Sequence, residues 1–576
     1  MTICRPLWAA GVVLACLPFQ LSAAITGLVL RAGDLTPIAD ARIRLQADPA
    51  SPIVLTGADG RFTLPVTPPG GVVVTATVPY DPNATVNYPI EQVNAFDGSD
   101  VLILLFPLPA TDNPTYQPPT VNLGCAFCHQ EQADRWLTSN HAHAAVNEWV
   151  LDLFSGSGTP GGGAGYVYRD THDPGETGFC AVCHAPLADV FNPGNVMLDE
   201  VVSPGALDGV QCLACHQIHD VNGNVSALNH LGNSEYRFPN EEPTQLFVWG
   251  PLDDVGFSTM NALYTPLFKE SRLCAACHEY NNPDTGAPGQ NTYSEWLASP
   301  WAVPGPDFRT CQDCHMPPAA EPGPISSLGG TPIRPPEDRR QHDFIGATPE
   351  RLSAAITLDL EAELVGDQVI VTARVTNAGA GHAFPTGVSV RNALLQLAVS
   401  AAGAPLPQSA GQVIPFWADD DVPGKQDGDL AGEPGAGFAR VLEGRINGAG
   451  PVVRPVLFID AENVAADTRI ASGETRTEMF RFAATGVPPG AAISVTAEVR
   501  YRRAWRATYV TKGWTQTPSG GPLETQVATA ATLLLNQAPA PIPALGPGGL
   551  LLLILAVMAL VLKVGLRPPP PVCVRT

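Results

Sequence analysis

Five copies of one five-residue pattern, Cys-x-x-Cys-His, constrain this chain more than any other feature. They place ten of its 13 cysteines between Cys125 and Cys314, always in pairs separated by two residues. The copies, called sites 1 to 5 in chain order, are Cys125–His129, Cys180–His184, Cys212–His216, Cys274–His278 and Cys311–His315. With 13 Cys and 12 His in 576 residues, chance yields on the order of 0.01 such patterns per chain. This regular spacing also excludes an ordinary disulfide framework.

The spacing of each pattern is the attachment signature of c-type haem. Two thiols form thioethers to the porphyrin, and the adjacent histidine reaches the iron from one side. A zinc site would use cysteines in sets of four and would not need a histidine after every second cysteine. The sequence therefore predicts five covalently attached haems. The predicted attachment residues are Cys125, Cys128, Cys180, Cys183, Cys212, Cys215, Cys274, Cys277, Cys311 and Cys314. The predicted proximal iron ligands are His129, His184, His216, His278 and His315.

Both ends of the chain carry apolar segments. Residues 1–24 combine Arg5, an apolar run and Ser22-Ala23-Ala24, which predicts a secretory signal peptide; a lipoprotein modified at Cys16 is the alternative. Residues 545–562 form an uncharged apolar stretch followed by Lys563 and Arg567, which predicts a transmembrane anchor with a cytoplasmic C-terminus. The Pro-rich approach to this stretch also resembles a bacterial sorting tail of the Pro-Thr-Leu type, so removal of the anchor by cleavage stays open.

Residues 25–109 read as short β-strands joined by turns, with Asp59-Gly60 as a hairpin signal. A Gly-Leu-Val strand at Gly27 is followed by Pro37-Ile-Ala-Asp-Ala41 and by Thr56-Gly-Ala-Asp-Gly-Arg-Phe62. This succession resembles the carboxypeptidase regulatory-like β-sandwich. The resemblance implies a spacer or adhesion module, and no peptidase motif accompanies it.

The sequence therefore predicts a multidomain fold. Residues 110–119 form a linker, and residues 120–348 form a pentahaem cytochrome c domain that is mostly helical or irregular because the haems supply much of its buried surface. Residues 349–537 are expected to form a second β-sandwich, since alternating strands return after residue 354. The transmembrane helix at 545–562 completes the expected fold class.

Each haem iron has a second axial position, which is either closed by His or Met or left open for a substrate. The chain resembles the exported multihaem cytochromes c related to hydroxylamine oxidoreductase and its tetrahaem electron acceptor. The resemblance covers roughly residues 120–500 and rests on Trp136-Leu-Thr-Ser139-Asn-His141, Trp249-Gly-Pro251-Leu-Asp-Asp254, Tyr293-Ser-Glu-Trp296-Leu-Ala-Ser299-Pro300, Gln341-His342-Asp-Phe344 and Asn377-Ala-Gly-Ala-Gly381-His382-Ala-Phe384-Pro385-Thr386-Gly387. It implies that His141, His342 and His382 are distal ligands.

The sequence leaves the identity of two further distal ligands undecided. Met260 stands where relatives often carry a histidine after the Trp-Gly-Pro segment, so it is either a ligand of a His/Met haem or a buried gap-filler. His219 and His230 compete for the remaining place, and His219 is too close to His216 to serve the same iron. The last candidates are His143 and His172.

Three functions are compatible with this pattern. The first is an exported, membrane-anchored pentahaem cytochrome that relays single electrons through haems ligated on both sides, facing the periplasm or the cell surface. The second is an oxidoreductase acting on a small nitrogen or sulfur compound at one open haem. The third is a surface binding or adhesion protein. The sequence favours an electron carrier over an enzyme, because spare ligands exist for the irons and the Cys-x-x-Cys-Lys haem of pentahaem nitrite reductases is missing.

The net charge of the chain limits the classes of partner that we expect it to bind. A formal net charge of −23 argues against nucleic acid, for which a basic face supplies most of the affinity. Haem propionates make the surface still more acidic. The expected partners are redox proteins that are basic or integral to the membrane, and the anchor adds the membrane itself.

The cysteine inventory gives a first testable prediction. Cys4 and Cys16 lie in the predicted signal peptide and Cys573 in the predicted cytoplasmic tail, so no thiol of the exported body is left to form a structural disulfide. The mass of the purified protein measured without reductant is expected to equal that of the processed chain plus its haems, and to stay the same after reduction. A two-dalton gain on reduction per bridge would contradict this assignment.

Overall fold

The computed structural model describes residues 24–222, 233–239, 246–256, 260–419, 429–536, 552 and 554–559. The predicted signal peptide lies outside the described residues except for Ala24, and His230, Cys4, Cys16 and Cys573 also lie outside them.

The first part of the chain forms two facing sheets. Its strands are β1 (Ile25–Arg31), β2 (Arg42–Leu45), β3 (Val54–Leu55), β4 (Arg61–Leu64), β5 (Val72–Thr77), β6 (Glu91–Ala95) and β7 (Asp100–Leu105). One sheet has the order β4-β1-β7 and the other β3-β2-β5-β6. Alternate residues of β1 and β4 are buried, as period-two patterning requires. Gly27 is needed where β1 runs parallel to β7, because a Cβ there would lie 2.5 Å from the Val101 carbonyl oxygen.

The middle of the chain consists of short helices and two-stranded ribbons. Its helices are α1 (Gln130–Leu137), α2 (Glu148–Phe154), α3 (Tyr168–Thr171), α4 (Cys180–His184), α5 (Pro186–Asp189), α6 (Pro204–Leu207), α7 (Cys212–His216), α8 (Arg272–His278), α9 (Thr292–Leu297) and α10 (Cys311–His315). Its strands are β8 (Ile218–Val221), β9 (Ser234–Tyr236), β10 (Leu246–Gly250), β11 (Met260–Tyr264), β12 (Glu279–Asn281), β13 (Pro288–Asn291), β14 (Gly323–Pro324) and β15 (Ile333–Arg334). A single helical turn is all that each attachment pattern needs, since residues i, i+3 and i+4 lie on one face.

The last part of the chain again forms two sheets, introduced by α11 (Pro349–Ala355). Its strands are β16 (Ile356–Val365), β17 (Gln368–Asn377), β18 (Asn392–Ala401), β19 (Ala404–Pro405), β20 (Gln408–Ala410), β21 (Gly435–Glu443), β22 (Asn463–Asp467), β23 (Thr475–Ala483), β24 (Ala492–Arg502) and β25 (Glu524–Leu535), with α12 (Arg506–Lys512) before the last strand. The sheets have the orders β16-β17-β23-β20 and β22-β21-β18-β24-β25, with β19 beside β18. Every second residue of β17 is buried in the core between them.

Ion pairs hold the first β-domain against the middle region. Asp253 accepts hydrogen bonds from Arg42 (Nη2–Oδ2 2.8 Å) and Arg44 (Nη1–Oδ1 3.1 Å). The neighbouring Asp254 pairs with the buried Arg334 at 2.8 Å and accepts the backbone N–H of Ala47 at 2.7 Å. These two carboxylates belong to the Trp-Gly-Pro-Leu-Asp-Asp segment.

The last β-domain is fastened by a buried lysine. Nζ of Lys512 donates to the carbonyl oxygens of Asp152, Gly162 and Tyr166 at 2.5–2.9 Å. Trp514 donates from Nε1 to the carboxylate of Asp152 at 2.6 Å, and its ring stacks on Trp149. The middle region is thus tied to a β-domain on each side.

The predicted C-terminal transmembrane helix is wrong in the part of the chain that the structure describes. Within 545–562 only residue 552 and residues 554–559 are described, and they are helical and exposed. No helix among the described residues is long and apolar enough to cross a membrane. About 20 helical residues are needed to span the hydrocarbon layer, and the described run is far shorter. The rest of the stretch lies outside the described residues.

Asp254 offers a test of how the first β-domain is held. Replacing it by asparagine keeps the shape but removes the nearer of the two carboxylates that pair with the buried Arg334, the other being Asp338 at 3.3 Å. We expect this loss to cost about 1–3 kcal/mol of the free energy of unfolding. The measurement is chemical denaturation of the holoprotein. The control is Asp359→Asn, since Asp359 is two-thirds exposed in its ion pair with Arg374 and should cost about 0–1 kcal/mol. Equal losses for the two variants would contradict the proposed role of Asp254.

Candidate functional site

One large cavity runs through the middle region. Its volume is about 2020 Å³, and all ten paired cysteines and all five adjacent histidines line it. A drug-sized ligand occupies a pocket of roughly 300–1,000 Å³, so this cavity exceeds the space for one such molecule. No disulfide joins any of these ten cysteines. The five attachment patterns therefore open into one shared interior.

Contacts between thiols give the spatial order of the sites. Three pairs of thiols lie close enough to shift each other's pKa: Cys125 with Cys212, Cys183 with Cys277, and Cys274 with Cys311. Sites 1 and 3, sites 2 and 4, and sites 4 and 5 are therefore neighbours. The charge of Cys277 also raises the pKa of Cys215, which indicates that site 3 lies beside site 4. The sites form a row 1–3–4–5, with site 2 branching from site 4.

Each proximal histidine has a hydrogen-bond partner at Nδ1 that orients its ring. Nδ1 of four of them lies at hydrogen-bond distance from a backbone carbonyl oxygen. The pairs are His129 with Ile325 at 2.7 Å, His184 with Ala144 at 3.0 Å, His216 with Trp249 at 2.7 Å, and His315 with Ile345 at 2.6 Å. A carbonyl can only accept, so it holds the proton on Nδ1 and leaves Nε2 free for a metal. His278 differs, because its Nδ1 lies 2.8 Å from a side-chain atom, the amide nitrogen Nε2 of Gln290.

Two predicted distal histidines stand opposite proximal ones. The ring centres of His141 and His278 are 6.3 Å apart, and those of His315 and His382 are 6.4 Å apart. Two imidazoles that bind one metal from opposite sides, each at about 2.0 Å, have ring centres roughly 6 Å apart. The separation of each pair is therefore compatible with one shared metal, between His141 and His278 at site 4 and between His382 and His315 at site 5.

Burial keeps these histidines neutral, which is the form that binds a metal. It lowers the pKa of His141 to about 4 and that of His278 to about 3. The pKa of His342 is lowered to about 4, first by burial and then by the neighbouring His216 and His129. His342 lines the cavity and therefore lies near sites 3 and 1.

The other candidate ligands fall in different surroundings. Met260 begins β11 and lines the cavity. His219 lies outside the described cavity lining, where its Nδ1 is 2.9 Å from the hydroxyl oxygen of Tyr80. His143 is exposed. Both ring nitrogens of His172 have protein partners, since Nε2 lies 3.0 Å from the Asp460 carboxylate and Nδ1 3.0 Å from the Thr171 hydroxyl.

Glu295 in α9 holds the loop that carries His382, a role that the sequence did not predict. Its carboxylate accepts hydrogen bonds from the backbone N–H of Ala383 at 3.2 Å and from the Thr386 hydroxyl at 2.5 Å. It also pairs with Arg469 and lies 3.8 Å from Arg440, two arginines of the last β-domain. Its place in the Tyr-Ser-Glu-Trp segment was the available signal, but only the fold brings residue 295 to residue 383.

The cavity wall also carries cations suited to acidic groups. The arginines in it are Arg309, Arg334, Arg339, Arg340, Arg351, Arg391 and Arg503. Guanidinium groups bind carboxylates with two parallel hydrogen bonds, and haem has two propionates. Together with the thiols, the imidazoles and the apolar walls, these residues fit covalently attached c-type haem.

Comparison with known proteins agrees with this geometry. Residues 124–217, which hold sites 1 to 3, match the family model "Cytochrome c554 and c-prime". No curated protein matched the chain. The match and the repeated attachment pattern support a multihaem c-type cytochrome, a class of protein that carries electrons on covalently bound haem.

Two solved structures show likeness to the chain. A penta-heme cytochrome c552 from Thermochromatium tepidum has 23% identity and a TM-score of 0.48, over 72% of this chain and 99% of that one. The Fcho1 Mu homology domain of Danio rerio, solved with a bound Eps15 peptide, has 11% identity and a TM-score of 0.11, over 33% of this chain and 46% of that one. Neither reaches a TM-score of 0.5, so neither bears on the function.

The opposed pair at site 4 can be tested with two neighbouring histidines. His141→Ala removes the imidazole that faces His278, so we expect one haem to change from low-spin to high-spin in the ferric electron paramagnetic resonance spectrum. His143→Ala alters an exposed ring two residues away and should leave the spectrum unchanged. An unchanged spectrum for His141→Ala, at full haem content, would exclude His141 as a ligand.

Proposed function

We propose that this protein is an exported pentahaem c-type cytochrome that relays single electrons between redox partners. The observation that carries the proposal is that all five attachment patterns line one continuous cavity, in which thiols of neighbouring sites lie close enough to shift each other's pKa. Bound haem supplies an iron that alternates between ferrous and ferric states. Sites arranged side by side need no mobile carrier within the chain.

The arrangement of sites suggests a route that electrons could follow in either direction, with three ends at sites 1, 2 and 5. With haem bound at every site, an electron entering at site 1 would have sites 3, 4 and 5 in succession as neighbours, and site 2 would exchange with site 4. The chain's own residues would fix this route, because each attachment pattern offers two thiols and one imidazole to hold its haem in place. The apolar cavity walls exclude water, which lowers the reorganisation that each transfer requires.

The distal ligands complete the proposal. His141 would close site 4 and His382 site 5, while His342 and Met260 would serve sites 1 and 3, and His219 stays a weaker candidate. Closed irons favour electron transfer, since no position is left for a substrate. A Met ligand would raise the potential of its haem above those of its His/His neighbours.

Export and partners follow from composition. The attachment of c-type haem takes place outside the cytoplasm, and residues 1–24 have the pattern of a signal peptide. We therefore expect an extracytoplasmic protein. With a formal net charge of −23, its surface would steer basic redox proteins toward it, and this attraction weakens as the ionic strength rises.

One observation favours a second candidate function. Beyond the five proximal histidines, the described cavity lining offers three histidines, together with Met260 and Met316 as the described methionines. Met316 follows its own proximal ligand, His315, and cannot reach the far side of that iron. Within the described residues, site 2 therefore has no assigned partner for His184. An open iron there would suit an oxidoreductase acting on a small nitrogen or sulfur compound.

One set of measurements tests the proposal against this second candidate. We expect five haems per chain by haemochrome assay and mass, fully reversible stepwise reduction, and a predominantly low-spin ferric spectrum. Electron exchange with a basic redox protein should slow as salt is added. Fewer than five haems would refute the count, and turnover of nitrite or hydroxylamine with a substantial high-spin fraction would favour the oxidoreductase.

A further inference from the structure

The five proximal histidines provide an internal comparison. Four have a backbone carbonyl behind Nδ1, which no side-chain substitution can remove. Only His278 at site 4, among these five, has a side chain in that position, the amide of Gln290 at 2.8 Å. Gln290 belongs to β13, which pairs with β12 directly after α8, so the same ribbon presents both partners.

Gln290 is held by a chain of hydroxyl groups. Its amide lies 3.3 Å from the Thr292 hydroxyl, which is 3.1 Å from the Thr386 hydroxyl, and Thr386 donates to Glu295 at 2.5 Å. Glu295 is the carboxylate that holds the His382 loop. The chain therefore runs from the proximal ligand of site 4 to the support of the distal ligand at site 5. Gln290 is nearly buried, so water does not compete for these contacts.

We infer that Gln290 is the positioning residue that sets the reduction potential of the haem at site 4. The inference rests on the proposed function, since it requires a haem at that site. Site 4 is the junction of the row, because it adjoins sites 2, 3 and 5. Its potential decides how electrons divide among the three neighbours. Among the five sites, this is the one where a point mutation can change the hydrogen-bond partner of the proximal Nδ1.

The physical reason lies in what an amide can do. An acceptor on the Nδ1 proton makes the imidazole a stronger donor to the iron and stabilises the ferric state, which lowers the potential. A backbone carbonyl supplies this acceptor permanently. In the structure the amide nitrogen Nε2 of Gln290 faces Nδ1 of His278. When Nε2 of His278 binds a metal, Nδ1 carries the proton, and a half-turn of the carboxamide then brings the amide oxygen into this position as the acceptor. A carboxylate in its place would be a stronger acceptor, and an apolar side chain would be none.

The test is a spectroelectrochemical titration of the holoprotein and two variants. Gln290→Leu removes the acceptor, so we expect the potential of one of the five one-electron steps to rise by about 59 mV. This shift corresponds to a change of about tenfold in the equilibrium constant of that step. Gln290→Glu should move the same step in the opposite direction. The low-spin resonance of one haem should change in both variants, while the other four steps stay within threefold of the wild type.

Gln132→Leu is the matched control, because Gln132 also lines the cavity but is not the partner of a proximal Nδ1 in the described structure. It should leave all five steps within threefold of the wild type. Shifts of Gln290→Leu and Gln290→Glu in the same direction, or below threefold, at full haem content would overturn the inference. A wild type with no haem at site 4, determined by peptide mapping, would instead overturn the proposed function.

Discussion

The structure depends on keeping ten thiols, five imidazoles and their cofactors inside one apolar cavity. The helices that carry the attachment residues are one or two turns long and cannot build a closed wall around about 2020 Å³. Residues from both β-domains complete the lining, such as Val73 from the first and Tyr501 from the last. Covering the haem sites is therefore a task of the whole chain, and the first β-domain is part of the wall as well as an appendage.

Charged side chains, buried at the seams between domains, hold this wall in place. Asp253 forms ion pairs with two arginines of the first domain, and Asp254 forms one with an arginine of β15. Lys512 donates hydrogen bonds to three carbonyl oxygens of the middle region. A buried charge that loses its partner is costly, so such contacts tolerate few alternative arrangements of the domains. The same logic applies at Glu295, where two arginines of the last domain meet a carboxylate of the haem region that also fixes the loop of His382.

Much of the site could be read from the sequence. The attachment residues and proximal ligands follow from a spacing that the chemistry dictates, since a helical turn brings residues i, i+3 and i+4 together. The strands of both β-domains could be predicted from the alternation of apolar and polar residues. The alternate burial of residues in β1, β4 and β17 agrees with that pattern. The resemblance also singled out His141 and His382, although it did not say which sites they face. The predicted transmembrane helix was wrong for the described residues, among which no helix is long and apolar enough to cross a membrane.

By itself, the sequence predicted which residues bind covalently, because thioether attachment depends on the local spacing of two thiols and a histidine. Only the tertiary structure brought His141 near His278 and His382 near His315, and placed Gln290 rather than a carbonyl beside Nδ1 of His278. The physical reason is distance along the chain. His141 and His278 are 137 positions apart, and Glu295 and Ala383 are 88 apart. Contacts of that range depend on how domains pack, which local spacing does not encode.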